Sequence, residues 1–160
     1  MKGNKEYCVL KTEYNASVAE LVRSNLEAYH LDLPGTVYFD EGLDHLSDFY
    51  DHIGRVYYVL LEHRSVIGGV GLAEFKGFKE CCELQKLYLS ESAKGKGLGY
   101  DMAVFIEKCA KDMGYKRIYL ETYTKLQEAI NLYEYLGYRE IPRPENVVHS
   151  TMNKFYLKEL

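Results

Sequence analysis

The residues with the clearest chemical meaning are Lys94-Gly95-Lys96-Gly97-Leu98-Gly99. Their alternate glycines allow positive φ and let the backbone approach a ligand with no Cβ in the way. The apolar series that follows, Leu98, Met102, Phe105, Ile106, Cys109 and Met113, has steps of three and four, an amphipathic helix that Gly114 closes. A loop opening such a helix presents amides without intrahelical partners at the positive end of the dipole. That is an anion site suited to a phosphate or pyrophosphate, and Lys94 and Lys96 add charge there. The spacing is neither Gly-x-x-x-x-Gly-Lys-Ser/Thr nor Gly-x-Gly-x-x-Gly, so a nucleotide is the weaker guest. A tight connection with no ligand is the bland reading.

Other polar features bound the function. Cys8, Cys81, Cys82 and Cys109 have no paired metal spacing, and the five histidines form no His-x-x-x-His pair, so no metal is expected. The cysteines are expected to be reduced, which suits a cytoplasmic protein. With a net charge of −4 and no basic block, nucleic acid is not the expected partner. No apolar run is long enough to span a membrane, and the first six residues carry no apolar stretch typical of a secretory signal. Glu41, Asp44, Asp48 and Asp51 recur at helical steps. On a helix they would form one acidic stripe, either a solvated face or an attractor for a cationic amine.

The elements that must position these residues fit one domain over 1–160. Tyr7 to Leu10 reads as a strand. Ser17-Val18-Ala19-Glu20 has the capping-box form, before a helix whose inward set is Val18, Leu21, Val22, Leu26 and Tyr29. Asp40 to Ile53 reads as a second helix, with Leu43, Leu46, Phe49 and Ile53 inward and Gly54 as its stop. Val56–Leu61 and Val66–Phe75 read as a hairpin turning at His63-Arg64-Ser65, and Cys81–Leu89 as a third strand. After the Leu98 helix come a strand at Arg117–Thr122 and a helix carrying Leu126, Ala129, Ile130, Tyr133 and Leu136, ended by Gly137. Tyr138–Ile141 and Met152–Leu157 are the last strands. The order β-α-α-β-β-β-α-β-α-β-β predicts an α/β (α+β) fold, a mixed sheet with helices packed on it.

At this point the chain resembles the GNAT superfamily of N-acetyltransferases. The loop Lys94–Gly99 is similar to the family's Arg/Gln-x-x-Gly-x-Gly/Ala signature, with Lys94 in the first place. Ala129-Ile130-Asn131-Leu132-Tyr133-Glu134-Tyr135-Leu136-Gly137-Tyr138 resembles its second signature, Ala-x-x-Leu-Tyr-x-x-x-Gly-Phe. Glu83 to Leu89 resembles the strand that splays from its neighbour and bonds pantetheine through its backbone. The likeness spans roughly residues 54–141. It departs where Lys94 loses the guanidinium fork and where Leu126 replaces a frequent Asn. Asn131 falls off the face of Ala129 and Tyr133 and is not assigned to the cofactor.

The resemblance implies a mostly antiparallel sheet with helices on both faces, and acetyl-CoA as co-substrate. Leu87, Tyr88, Leu89, Lys94, Gly95, Lys96, Gly97, Leu98, Gly99 and Tyr100 would hold it. The implied reaction is acetyl transfer to a primary amine, on a small molecule or peptide, in a ternary complex. Tyr133 would protonate the departing thiolate, and Glu83 would take the amine's proton. The alternatives are a core aromatic for Tyr133 and a solvated or lysine-paired side chain for Glu83. For the whole chain the alternative is a non-catalytic CoA-binding regulatory module. Many family members pair, so a homodimer is one expected assembly. The acceptor carries no motif.

Overall fold

The computed structural model describes residues 4–160. Seven strands form one sheet in the order β1-β2-β3-β4-β5-β7-β6. They are β1 (Lys5–Val9), β2 (Val56–Glu62), β3 (Ser65–Glu74), β4 (Cys81–Leu89), β5 (Arg117–Thr122), β6 (Arg139–Ile141) and β7 (Lys154–Glu159). All neighbours run antiparallel except β4 and β5. The helices are α1 (Asn15–Ala28), α2 (Leu46–Tyr50), α3 (Leu98–Asp112) and α4 (Gln127–Tyr135). The β2–β3 hairpin turns on His63 and Arg64, both with positive φ, while Ser65 already belongs to β3.

Strand alternation decides which helices cover which face. Leu60, Leu72, Cys82, Leu84, Ile118 and Leu120 pack against α3 and α4 through Met102, Ile106, Ala110 and Ile130. Tyr57, Val59 and Leu61 point the other way and meet Val18, Val22 and Leu26 of α1 and Leu46 and Tyr50 of α2. The expected mixed, mostly antiparallel sheet with helices on both faces is what the chain adopts.

Two local readings differ. The second helix is not continuous from Asp40 to Ile53. A 3-10 turn at Leu43–His45 precedes the short α2, and the buried set is Leu43, Leu46 and Tyr50. Phe49 is exposed and Ile53 is 96% exposed, so neither faces inward. Glu41, Asp44, Asp48 and Asp51 therefore share no helix face, and the stripe dissolves. Asp44 instead accepts from both terminal guanidinium nitrogens of Arg23 at 2.8 Å. The capping box at Ser17 also fails, because α1 starts at Asn15 straight out of a 3-10 turn at Thr12–Tyr14. Asn15 uses its amide to clamp Ser47, donating to Oγ at 2.8 Å and accepting from the backbone N–H at 3.0 Å. That pair ties the start of α1 to α2.

Candidate active site

The parallel pairing of β4 with β5 covers only Cys81–Glu83 against Arg117–Tyr119. Beyond Glu83, β4 loses its neighbour on that side. Its backbone groups there must find other partners, because unpaired polar backbone is costly away from water. Two are satisfied by side chains. Asn25 of α1 donates to the Leu89 carbonyl at 2.9 Å, and Tyr57 donates to the Lys86 carbonyl at 2.9 Å. The strand is irregular in the same stretch. Gly69 of β3 faces Tyr88 and Gly71 faces Gln85, so Val70 is opposed by two residues, Lys86 and Leu87. This is a β-bulge. A Cβ on Gly69 or Gly71 would overlap the Tyr57 ring, so these glycines make the room that lets Tyr57 reach Lys86.

A cavity of about 230 Å³ lies along the released edge of β4. Of the sequence-predicted residues it is lined by Leu87, Tyr88, Leu89, Lys94, Gly95, Gly99 and Tyr133. Lys96, Gly97, Leu98 and Tyr100 lie on the same loop and first helical turn, outside the cavity walls. Gly97 is the residue before α3, at φ +78° and with no side-chain cap on the helix. A Cβ there would meet nothing within 4 Å, so the space above the first amides of α3 is open. The Lys94 ammonium bonds Glu91 at 3.1 Å and lies 5.4 Å from the Tyr29 ring centre. Tyr133 is buried, 5.6 Å from the Tyr138 ring and nearly edge-on to it. Desolvation pushes its phenol above the ordinary range, so it stays protonated at neutral pH.

A second cavity, of about 100 Å³, meets the first at Leu26, Tyr88 and Leu126, which line both. It holds Glu83 and Gln85 of β4, Glu121 of β5 and His149 from the loop before β7. A wider mouth of about 430 Å³ continues past Glu83, Glu121 and His149 to Asp40 and Phe49. Glu83 accepts a hydrogen bond from Gln85, whose amide oxygen accepts from Tyr50 at 2.7 Å. Burial raises the Glu83 carboxyl, and raises Glu121 to about 7, with the Glu83 charge adding to the second shift. Tyr119 donates to Glu121 at 2.9 Å. His149 bonds both oxygens of Asp40 at 3.0–3.1 Å, which raises its imidazole. The site thus presents two carboxyls whose proton affinity burial has raised, with Glu121 poised to exchange its proton near neutral pH.

The structure places Tyr133 in the wall of the first cavity and Glu83 in that of the adjoining second, and it adds residues that sequence reasoning missed. Glu121 had a signal, since it is the lone carboxylate of an inner strand and follows the apolar run Ile118-Tyr119-Leu120. Asn25 and His149 had none. Cys81 and Cys82 are buried, with their thiols pushed up to about 12, so neither supplies a thiolate.

Comparison with known proteins now settles the family. The acetyltransferase (GNAT) family profile matches residues 18–138. The chain belongs to the GNAT acetyltransferase family. It is 38% identical over 134 residues to the uncharacterized N-acetyltransferase YjgM of Escherichia coli K12, covering 82% of this chain and 80% of that one. An acetyltransferase of the GNAT family from Staphylococcus aureus Mu50 superposes with a TM-score of 0.86 at 19% identity, over 98% of this chain and 99% of that one. The PaiA N-acetyltransferase of Thermoplasma acidophilum, solved in complex with coenzyme A, gives 0.77 at 14% identity, over 98% and 99%. This GNAT protein is therefore an acyltransferase, and the family's general reaction is acetyl-CoA-dependent N-acetylation. No helix among the described residues is long and apolar enough to cross a membrane.

Proposed function

We propose that this enzyme moves the acetyl group of acetyl-CoA directly to a primary amine while both are bound. The observation that carries this reading is the junction at Leu26, Tyr88 and Leu126 between two chemically different cavities. One offers a bare strand edge and a glycine-rich helix start, suited to pantetheine and pyrophosphate. The CoA complex of the Thermoplasma protein supports the same assignment by fold. The other offers paired carboxyls, suited to an amine that arrives protonated and must lose a proton before attack.

In this mechanism Glu121 or Glu83 accepts the ammonium proton, directly or through water. The free amine adds to the thioester carbon, and its C=O becomes an oxyanion that a β4 backbone N–H near Leu89 stabilises. Collapse breaks the C–S bond, Tyr133 gives its phenolic proton to the sulfur, and the second proton of the attacking nitrogen returns through water to the tyrosinate, leaving a neutral amide, CoA thiol and Tyr133 as it began. A CoA-binding module without turnover would leave the carboxyl pair and Tyr133 without a task. A cytoplasmic enzyme, as a monomer or homodimer, belongs to the same proposal; its four unpaired cysteines support a reducing compartment. Incubation with acetyl-CoA and a panel of amines, read as thiol release and acetylated product mass, tests it. CoA binding with no product from any amine sinks the proposal.

A further inference from the structure

One residue of β4 is not accounted for by the regular pleat. Cys82 and Leu84 face α3 and α4, and Glu83 and Gln85 face the cleft. Beyond the bulge, Leu87 packs on the α3 side and Tyr88 on the α1 side. Lys86 is the inserted residue between them. Its φ is 51°, in the left-handed region that side chains other than glycine rarely enter. The insertion sends its side chain into the cleft beside Glu83 and Gln85, where it lines both the inner cavity and the mouth. The Tyr57 hydroxyl holds its carbonyl in that conformation.

Among the described residues, Lys86 forms no ion pair. Lys86 is partly buried, which lowers its pKa, and Asp40 and Glu83 oppose that shift through space. Asp40 is committed to His149, and Glu83 accepts from Gln85. The Phe49 ring lies 6.0 Å from the ammonium. A partly desolvated ammonium without a hydrogen-bonded partner is costly and tends to lose its proton, and an entering anion favours the charged form and relieves that cost. Unusual backbone conformations maintained by their surroundings cluster at ligand-binding sites.

We infer that Lys86 receives an anionic group of the acceptor. The acceptor class is then a primary amine that also carries a carboxylate, as amino acids do. Its ammonium is drawn to Glu83 and Glu121 and its carboxylate to Lys86. Polyamines, with a second cation and no anion, are poor acceptors. This rests on the cleft being the acceptor site of the proposed reaction.

The test uses the twenty L-amino acids, each paired with its own carboxamide, which keeps the amine and removes the negative charge. Binding to the full chain is measured by calorimetry without acetyl-CoA, and acetylation by product mass, corrected for the fraction of free amine. At least one amino acid should bind about tenfold or more tightly than its amide, with a similar ratio in kcat/KM (about 1.4 kcal/mol per factor of ten). Lys86→Met should bring both ratios towards one, and Lys86→Arg should restore them. All side chains at this φ carry similar strain, and circular dichroism checks each fold. Amino acids that bind through Lys86 while no amine of any kind is acetylated keep Lys86 as a carboxylate site and sink acetyl transfer; amino acids that bind there unacetylated while other amines react overturn this inference. Neutral amines acetylated as well as their acids keep acetyl transfer and overturn this inference. Ratios that survive Lys86→Met, or no amino-acid binding at all, also overturn it.

Discussion

The phenolic hydroxyl of Tyr57 on β2 donates to the carbonyl of Lys86 on β4 at 2.9 Å, across the intervening strand β3. Tyr57 is completely buried, and burial holds its phenol far above the ordinary range, so the donor is never lost at accessible pH. The contact fastens the bulge from the strand two places away. Tyr57→Phe keeps the ring and removes only the donor. It should cost about 1–3 kcal/mol, since a carbonyl is left without its partner, read as a lower urea midpoint. It should also blunt the preference for carboxylate-bearing amines, because Lys86 would no longer be held in place.

Gly97 should be the position where fold and cofactor binding separate most cleanly. A Cβ at Gly97 meets no protein atom within 4 Å, but Gly97→Val places a branched side chain in a left-handed residue above the amides of α3. The strain is roughly 1–2 kcal/mol. Calorimetry should show CoA affinity falling at least tenfold while the circular dichroism spectrum is kept. Wild-type affinity in the folded variant would mean that the pyrophosphate sits elsewhere.

Tyr133→Phe should leave acetyl-CoA affinity unchanged and lower turnover about 10²–10⁴-fold, the usual span for loss of a general acid. The measurement is single-turnover acetylation, where product release does not mask chemistry. An unchanged rate assigns Tyr133 to the core alone.

The carboxyl pair makes two pH predictions. With Glu121 at about 7 in the folded chain, kcat/KM should rise with pH through neutrality, and Glu121→Gln should remove that inflection. Stability should move in the opposite direction. Between the ordinary value of 4.5 and about 7 the folded state binds more protons than the unfolded state, so stability falls as pH rises across that window. Glu121→Gln should flatten this slope and stabilise the fold at pH 8. Urea titrations at several pH values check the sign.

The acidic residues between Gly42 and Ile53 should matter little to catalysis. Asp44 is spent on Arg23 at an exposed site, and no helix aligns it with its neighbours. Asp44→Asn with Asp48→Asn should cost at most about 1 kcal/mol and leave acceptor efficiency and its salt dependence unchanged. A marked rise in KM would restore these carboxylates to the acceptor path.

Much of this architecture was legible where periodicity and local chemistry agree. α3 and α4 repeat their apolar residues at helical steps, and the glycine loop announces itself by spacing. The segment from Asp40 to Ile53 misled because Leu43, Leu46, Phe49 and Ile53 also fit a helix. The chain buries Tyr50 instead and leaves the last two exposed. The bulge left a trace in β4, since Leu84, Leu87 and Leu89 cannot share one face of an unbroken pleat. What it does to Lys86 depends on Tyr57 and two glycines far away in sequence. His149 reaches the cleft from a loop, and only tertiary packing brings it to Asp40.

The early parting of β4 from β5 also has a kinetic consequence. Because the sheet opens between them, the two cavities have separate mouths and share only Leu26, Tyr88 and Leu126, so in the proposed reaction donor and acceptor each have an entrance of their own. Neither has to leave before the other can enter. Initial-rate plots against the two concentrations should therefore intersect, not run parallel, and the acetylated product can depart through the acceptor mouth while CoA still occupies its own groove.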